Sequence, residues 1–455
     1  MTSVYTELDG NFGLATDLYE LTMAQAYFDH GMHAPASFSL VVRDLPADWG
    51  FFVFAGIDGV LSALESFCYS PTAVEYLATT GLFSCAFLDF LMKFRFSGEV
   101  LALREGEIFF PGEPLLEVTA PVIEAQLVET AVINRASFPA LIASKAVRSV
   151  LAARARRLVD FASRRTQSLE AGLTVARSSY LAGYAGTSNV LAARLFGLPA
   201  YGTMAHSFVT CFDEEIDAFR AFVRSFPEQS VLLVDTYNTV AGVRRAIEIA
   251  RELEQRGHRL KGVRLDSGDL DQLSRRTRAL LDEAGLEDAT VVASGGLDEH
   301  KVAALVAAGA PIDVFGVGTD LGVAADSPAL DIAYKLVEYE GKERLKLSPG
   351  KETLAGRKQI YRRSDDSGVI CEDVLATREE AAPEGDISPP LLVPVMQRGE
   401  RVGPSTPLAE ARARCAERLA HLPRDVACLR NPAAYPVRLS SALQEQQREA
   451  ARTRR

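Results

Sequence analysis

Cysteine is scarce and scattered: Cys68, Cys85, Cys211, Cys371, Cys415 and Cys428 are spread over 455 residues, and none forms a C-x-x-C pair. That spacing suggests neither a zinc site nor a disulfide framework. Net positive charge is also missing. The formal balance is −11 at pH 7, which argues against a broad nucleic-acid or membrane surface. Basic residues that serve an anionic substrate must then be gathered in a site. No unbroken apolar run reaches membrane-spanning length, and the opening MTSVYTELDG carries acids in place of a basic-then-apolar signal. A soluble cytoplasmic protein is the expectation. Nucleotide-binding signatures are lacking as well. Gly350-Lys351-Glu352 does not make a Walker A sequence, no G-x-G-x-x-G follows a first strand, and no G-x-S-x-G elbow occurs. His30 and His33 have no convincing partner set for a metal.

What the chain does have is apolar substance. Hydrophobic residues make up 48% of it, enough for a sizeable core, and its length suits two domains or one large domain with an accessory. Residues 17–30 read as a helix, with Asp17 and Glu20 spaced as a capping box and Gly31 as the stop. Residues 36–58 and 97–120 read as strands and turns with helical text between them. Residues 122–157 read as helix, with Arg148, Arg154, Arg156 and Arg157 forming a basic end. Without aromatic interleaving, that end reads as a solvated face.

From Leu158 the rhythm changes. Strand candidates LVDF (158–161), PAYG (199–202), VLLVD (231–235), GVRLD (262–266), TVVAS (290–294) and DVFGVG (313–318) each end in a small or polar cluster. Most are separated by amphipathic helical text, such as 240–256 and 270–284. This alternation signals parallel βαβ units, in a barrel or a doubly wound sheet. In such folds the sites lie at the C-terminal strand ends. Residues 336–372 return to β-rich text with a basic run, 378–392 read as an acidic, Pro-rich loop, and the tail from Pro407 reads as helix.

The stretch from Gly183 to Phe208 joins a helix start, a short strand and a polar loop. Ser188 reads as the N-cap, Gly197 and Pro199 as the stop, and the loop presents Thr203 and His206. A helix start suits an anion; the plain alternatives are a simple cap and a satisfied loop histidine. At the other strand ends, Phe161 with Arg164 and Arg165 suits a flat anionic ring, or is a core aromatic beside surface arginines. Asp235 and Asp266 can hold Mg²⁺ or accept from sugar hydroxyls. Arg264 shares a strand face with Asp266, which would equally make a structural ion pair. Asp269 reads as the cap of the next helix. Ser294-Gly295-Gly296 and Gly316-Val317-Gly318-Thr319 are glycine turns on successive βα units, a pattern that lets backbone amides approach phosphate. These residues describe an α/β barrel-like enzyme with a phosphorylated, sugar-like substrate.

The motifs TDLYELTMAQAY (16–27), GTSNVLAARLFGLPAYGTMAHSF (186–208), VRLDSGDL (263–270), ASGGLDE (293–299), FGVGTDL (315–321) and KLSPGKETLAGRKQIYR (346–362) follow one another along nearly the whole chain. In this order they closely resemble the nicotinate phosphoribosyltransferase family. The resemblance implies an irregular α/β barrel, residues 126–335, and a β-rich α+β domain, residues 1–125 completed by 336–455. It implies transfer of phosphoribose from phosphoribosyl pyrophosphate to nicotinate in NAD biosynthesis, with Mg²⁺, and with ATP consumed through a phosphohistidine at His206. Tyr19 and Phe161 would sandwich the pyridine ring, with Tyr19 coming from the partner in a homodimer. Thr203 and Arg264 would contact nicotinate, and Arg164 a phosphate or pyrophosphate. Asp235 and Asp266 would sit near ribose and metal, and Gly295, Gly296, Gly318 and Thr319 would cradle the 5′-phosphate.

Two positions depart from the family pattern: Ala162 stands where glycine is common, and Ala355 where proline is. The nearest rival is nicotinamide phosphoribosyltransferase, which carries aspartate where Ser188 stands; a carboxylate there would repel nicotinate. A Mg²⁺-dependent sugar-phosphate barrel enzyme of the aldolase kind would need a Schiff-base lysine or a metal triad at a strand end, and neither is evident. A phosphosugar-binding protein would leave His206 without a purpose.

Overall fold

The computed structural model describes residues 12–348, 353–384 and 387–452. Residues 1–11, residues 349–352 of the basic run, residues 385–386 of the acidic loop and the last three residues lie outside that set. The chain divides into two compact units, 1–141 with 329–455, and 142–328.

The first unit is built on a seven-stranded antiparallel sheet that takes strands from both ends of the chain. Its order is Lys342–Glu343, Ile332–Tyr339, Pro35–Val42, Pro114–Pro121, Glu99–Ala102, Val393–Gln397, Glu400–Arg401. Pro35–Val42 lies between a C-terminal and an N-terminal neighbour, with Leu40 opposite Tyr334 on one side and Leu116 on the other. A three-stranded sheet, Lys358–Ser364, Ile370–Thr377 and Val437–Leu439, completes the unit. The basic run feeds that sheet with internal ion pairs. Arg362 Nη2 is 2.6 Å from Asp373 and Nη1 is 2.7 Å from Glu107, while Lys358 Nζ donates to the Gly356 carbonyl at 2.6 Å. Glu113 is buried beside Asp373, and burial followed by Asp373's charge pushes its carboxyl well up. The Ala355 departure has a local reason. Its N–H donates to Gln447 Oε1 at 2.7 Å, a bond that proline has no hydrogen to make.

Helix Leu18–Asp29 forms as its spacing predicts, but the capping box does not. Asp17 makes no side-chain cap bond. Glu20 is buried instead and accepts from the Thr130 N–H at 3.2 Å and from the Thr16 and Thr130 hydroxyls. Burial pushes its carboxyl up to about 7, with the Thr130 and Thr16 bonds pulling the other way. A folded-state value above the ordinary 4.5 means that this stabilisation is complete at low pH and is lost as pH rises through about 7. Glu20→Gln should remove that dependence. Calorimetry from about pH 5 to about pH 8 should show the difference in Tm between wild type and variant changing by several degrees. A constant difference would show that Glu20 does not titrate there.

The second unit carries a six-stranded parallel sheet in the order Gly186–Thr187, Arg157–Asp160, Val314–Val317, Thr290–Ala293, Gly262–Leu265, Val231–Leu233. Helices Thr239–Glu254, Leu270–Glu283 and Glu299–Ala307 alternate with its later strands. Five of the six strand candidates form; PAYG is reduced to a bridge between Ala200 and Thr187. The barrel is irregular in a strict sense, because among the described residues the strand ladder does not close. A cavity of about 690 Å³ lies against the sheet, with Val159, Val231, Val292 and Val314 among its lining residues and Phe161 and Thr203 also on its wall.

One helix, Glu129–Ala153, is long and apolar enough to cross a membrane by length and composition. It contains Pro139, Lys145 and Arg148, and 72% of its apolar window is buried, so it reads as a core helix. Its basic end is the expected solvated face only in part: Arg154 and Arg157 are exposed. Arg148 is buried, and the segment beyond Ala153 turns into the strand that begins at Arg157.

Candidate active site

The site residues gather where the parallel strands end. Arg264 lies one residue before the end of Gly262–Leu265, and Asp266 just past it. Their alternation puts both side chains on one face. Arg264 is a hub. Its Nε donates to Ser294 Oγ at 2.7 Å, one terminal nitrogen to Asp266 Oδ1 at 2.6 Å, and the other to Thr203 Oγ1 at 3.1 Å. Its guanidinium carbon lies 5.4 Å from the Phe161 ring centroid, over the ring. Four strand ends and loops are thus tied by one cation, and the result is an aromatic face edged by positive charge.

Asp266 also accepts from Ser294 Oγ at 2.5 Å. Burial alone would push its carboxyl up, but the Ser294 and Arg264 hydrogen bonds hold it below the usual range. Its other oxygen is 3.8 Å from His206 Nε2. His206 Nδ1 is 3.1 Å from Thr236 Oγ1, so the ring is held at one nitrogen and faces a carboxylate with the other. His206 is not on an open loop as expected; it is the first residue of helix His206–Thr210. Asp235 follows its strand closely. Its Oδ2 accepts from the Asp266 N–H at 3.0 Å and from Ser267 Oγ, while Oδ1 is buried and makes no hydrogen bond.

The Ser188 cap is corrected. Helix Val190–Phe196 is capped by Asn189, whose Oδ1 accepts from the Ala192 N–H at 3.0 Å. The helix starts one residue later than the composition suggests, with the Asn189 N–H taken by Thr187 Oγ1 at 3.0 Å. The Ser188 hydroxyl is left without a protein partner among the described residues and is available to a ligand. Asp269 does cap its helix, accepting from the Gln272 N–H at 3.2 Å.

Asp160 is the residue the sequence reading passed over. It is fully buried at the end of Arg157–Asp160. It accepts from Thr187 Oγ1 at 2.6 Å and from the Ala162 N–H at 2.7 Å, and its carbonyl takes the Ser188 N–H at 2.8 Å. It therefore clamps the turn that carries Phe161 to the loop that carries Ser188. Its position past an apolar strand was the same signal that marked Asp235 and Asp266. Ala162 itself sits at φ −86°, ψ −16°, a conformation open to any residue, so its departure from glycine leaves the loop path intact. Arg164 and Arg165 follow on a short 3₁₀ turn, exposed and without ion-pair partners among the described residues.

The glycine turns have a packing reason of their own. A Cβ on Gly316 would lie 2.4 Å from the Phe161 ring, and one on Gly295 (φ +89°) would lie 1.8 Å from the Asp266 carbonyl. Gly316 thus seats the aromatic ring and Gly295 lets two strand ends touch. Gly296 also adopts positive φ, and Gly318 precedes helix Thr319–Val323, where Thr319 is exposed. Tyr19 lies in the other unit, on the first turn of Leu18–Asp29. It is half exposed with its hydroxyl bonded to Glu129; burial, then that contact, push its phenol up.

Three family models cover the chain: the nicotinate phosphoribosyltransferase N-terminal domain matches residues 14–137, the nicotinate phosphoribosyltransferase family 156–366, and the C-terminal domain 387–447. A Mycobacterium tuberculosis (strain H37Rv) protein named nicotinate phosphoribosyltransferase pncB2 is 49% identical, over 94% of this chain and 92% of its own length. This chain belongs to the nicotinate phosphoribosyltransferase family. A Bacillus subtilis (strain 168) nicotinate phosphoribosyltransferase is 40% identical over 82% of this chain and 77% of its own length. The crystal structure of human nicotinic acid phosphoribosyltransferase superposes with a TM-score of 0.87 at 30% identity, covering 95% of this chain and 99% of that one. Membership makes the chain a phosphoribosyltransferase of pyridine nucleotide biosynthesis, and the cluster around Arg264 is its candidate centre.

Proposed function

We propose that the chain joins nicotinate to the phosphoribosyl group of phosphoribosyl pyrophosphate, giving nicotinate mononucleotide and pyrophosphate, with ATP hydrolysed through His206. The observation that carries this reading is the slot formed by Phe161, Arg264 and Thr203, an aromatic face with a guanidinium over it and a hydroxyl at its edge. A flat ring bearing a carboxylate fits such a slot. The free Ser188 hydroxyl can donate to that carboxylate, whereas an aspartate there would repel it. The pyridine nitrogen forms the new bond to the anomeric carbon as the bond to pyrophosphate breaks, and the electron pair leaves with pyrophosphate. The protein's part is to position the ring and to stabilise departing charge, with the unpaired Arg164 as the pyrophosphate contact.

Mg²⁺ suits the residues present. The orphaned, buried Oδ1 of Asp235 beside Asp266 fits a hard cation that takes one or two protein carboxylates and completes its shell on substrate phosphates. Among the described residues no group of three His, Cys, Asp or Glu could hold a metal alone. When bound, the ion would neutralise charge on the leaving pyrophosphate. Gly295, Gly296, Gly318 and Thr319 would receive the 5′-phosphate.

We place this chemistry in a cytoplasmic homodimer. Leu169, Val190, Leu191 and Leu195 are exposed on the second unit, apolar side chains that a partner surface would cover, and Tyr19 of one subunit would close over the ring held by the other. All six cysteines are free, which suits a reducing compartment.

The test is a mononucleotide assay with labelled nicotinate or nicotinamide, phosphoribosyl pyrophosphate, Mg²⁺ and ATP. Product should form from nicotinate, with nicotinamide a far poorer substrate; no product from nicotinate would sink the reading. A sharper prediction concerns Gly316→Ala. The added methyl must displace the Phe161 ring, so KM for nicotinate should rise about tenfold while KM for phosphoribosyl pyrophosphate holds. An unchanged nicotinate KM would place the ring elsewhere.

A further inference from the structure

Lys145 sits on helix Glu129–Ala153, one turn before Arg148, and both side chains are almost wholly buried. Its ammonium meets three carboxylates: Glu299 Oε2 at 2.7 Å, Asp320 Oδ2 at 2.9 Å and Asp326 Oδ1 at 2.7 Å. Arg148 Nε donates to the other Glu299 oxygen at 2.9 Å. One buried ammonium needs one carboxylate for neutrality, and each further buried charge carries a desolvation cost. What the acids share is their place in the chain. Glu299 opens helix Glu299–Ala307, three residues past Gly296, and Asp320 is the second residue of Thr319–Val323, two past Gly318. Both follow glycine turns on neighbouring strands.

Those strands are paired only through Val292 with Val314 and Ala293 with Phe315. Beyond Phe315 that ladder gives no further pair; Ser294 and Gly316 still pack together, a Cβ on Gly316 lying 3.3 Å from Ser294 Cβ, but the turns past them are not hydrogen-bonded by it. The Lys145 contacts can help set the separation of the turns, since one buried ammonium holds an acid just past each turn, Glu299 three residues after Gly296 and Asp320 two after Gly318. With Arg148 on Glu299, the same ammonium offsets acids whose excess negative charge would otherwise oppose a phosphate at the turns. Burial pushes the Asp320 carboxyl up despite Lys145, with Glu299 and Asp326 adding to it, which shows how crowded the negative charge is.

We propose that Lys145 is a positioning residue that sets the spacing of the Gly295-Gly296 and Gly318-Thr319 turns, so that amides of both converge on one phosphate of the phosphoribosyl substrate. The proposal rests on the function given above for the turns, and extends it to a side chain that touches no substrate. It predicts a defect confined to one substrate.

The experiment compares full-length Lys145→Met, Lys145→Arg and Asp320→Asn with Leu281→Ala, a core truncation in the same unit. Calorimetric Kd for phosphoribosyl pyrophosphate is measured alongside both KM values. Lys145→Met should weaken phosphoribosyl pyrophosphate about tenfold or more in Kd and KM, with nicotinate KM within about twofold of wild type. Lys145→Arg should recover part of the loss, and Asp320→Asn, which cuts one arm only, should show a smaller defect of the same kind. Leu281→Ala should lower Tm without separating the two substrates. If Lys145→Met does not fold, Asp320→Asn decides. Wild-type phosphoribosyl pyrophosphate affinity in the folded variants, or KM values that move together as in Leu281→Ala, would overturn the proposal. A wild-type protein that binds phosphoribosyl pyrophosphate yet makes no mononucleotide would refute the pyridine reading, leaving the Kd comparison to judge Lys145. No binding at all would refute both.

Discussion

Arg264→Met is expected to lower kcat/KM for nicotinate on the order of 10³-fold, at the upper end of losing one oriented donor to a substrate anion. The size follows from how many roles the side chain fills. It covers the Phe161 face, fixes the Thr203 hydroxyl, and ties Ser294 and Asp266 together. A methionine can keep the ring contact but leaves the nicotinate carboxylate without its cation. It also takes from Asp266 one of the two partners, after Ser294, that hold its carboxyl low. Arg264→Lys separates charge from geometry. It keeps the cation but cannot fork to three partners at once, so most of the loss should remain, about 10²-fold. Steady-state kinetics with each substrate varied, read beside thermal melts, would check both variants. A lysine variant with wild-type kcat/KM would mean that charge alone suffices and that the fork is structural.

Much of this site was legible because parallel strands write it in a regular way. VLLVD, GVRLD and TVVAS end in the residues that meet around Arg264, and the pairing of Arg264 with Asp266 follows from strand alternation. The resemblance then supplied the roles. What could not be read were choices decided by tertiary contact. Ser188 and Asn189 are both good caps; Thr187, itself anchored by Asp160, decided in favour of Asn189 and left Ser188 free. Arg148 reads as part of a solvated helix end and Lys145 gives no signal at all, since burial of a charge is set by partners about 150 residues away. Ladder closure was equally illegible. PAYG has strand composition, but only Ala200 finds a partner there.

His206→Ala should abolish stimulation by ATP and leave a slow, ATP-independent turnover. The geometry supports the histidine as a phosphoryl carrier. Thr236 holds Nδ1, Nε2 faces Asp266, and the side chain is 44% exposed, so a γ-phosphate can reach it. A ring nitrogen would bond the γ-phosphorus as the bond to ADP breaks. Water later takes the phosphoryl group, returning the imidazole and releasing inorganic phosphate. With alanine neither step has an acceptor, and ATP hydrolysis should fall on the order of 10²-fold or more. His206 meets Thr236 and Asp266 and reaches the Arg264–Phe161 slot only through Asp266, so nicotinate KM without ATP should change far less than ATP hydrolysis does. Two measurements decide. Label from γ-phosphate-labelled ATP should be retained on wild-type protein in an acid-labile form and be absent from His206→Ala. Mononucleotide formation by the variant should be the same with and without ATP. Retained label, or persistent stimulation, would move the phosphoryl acceptor to another residue.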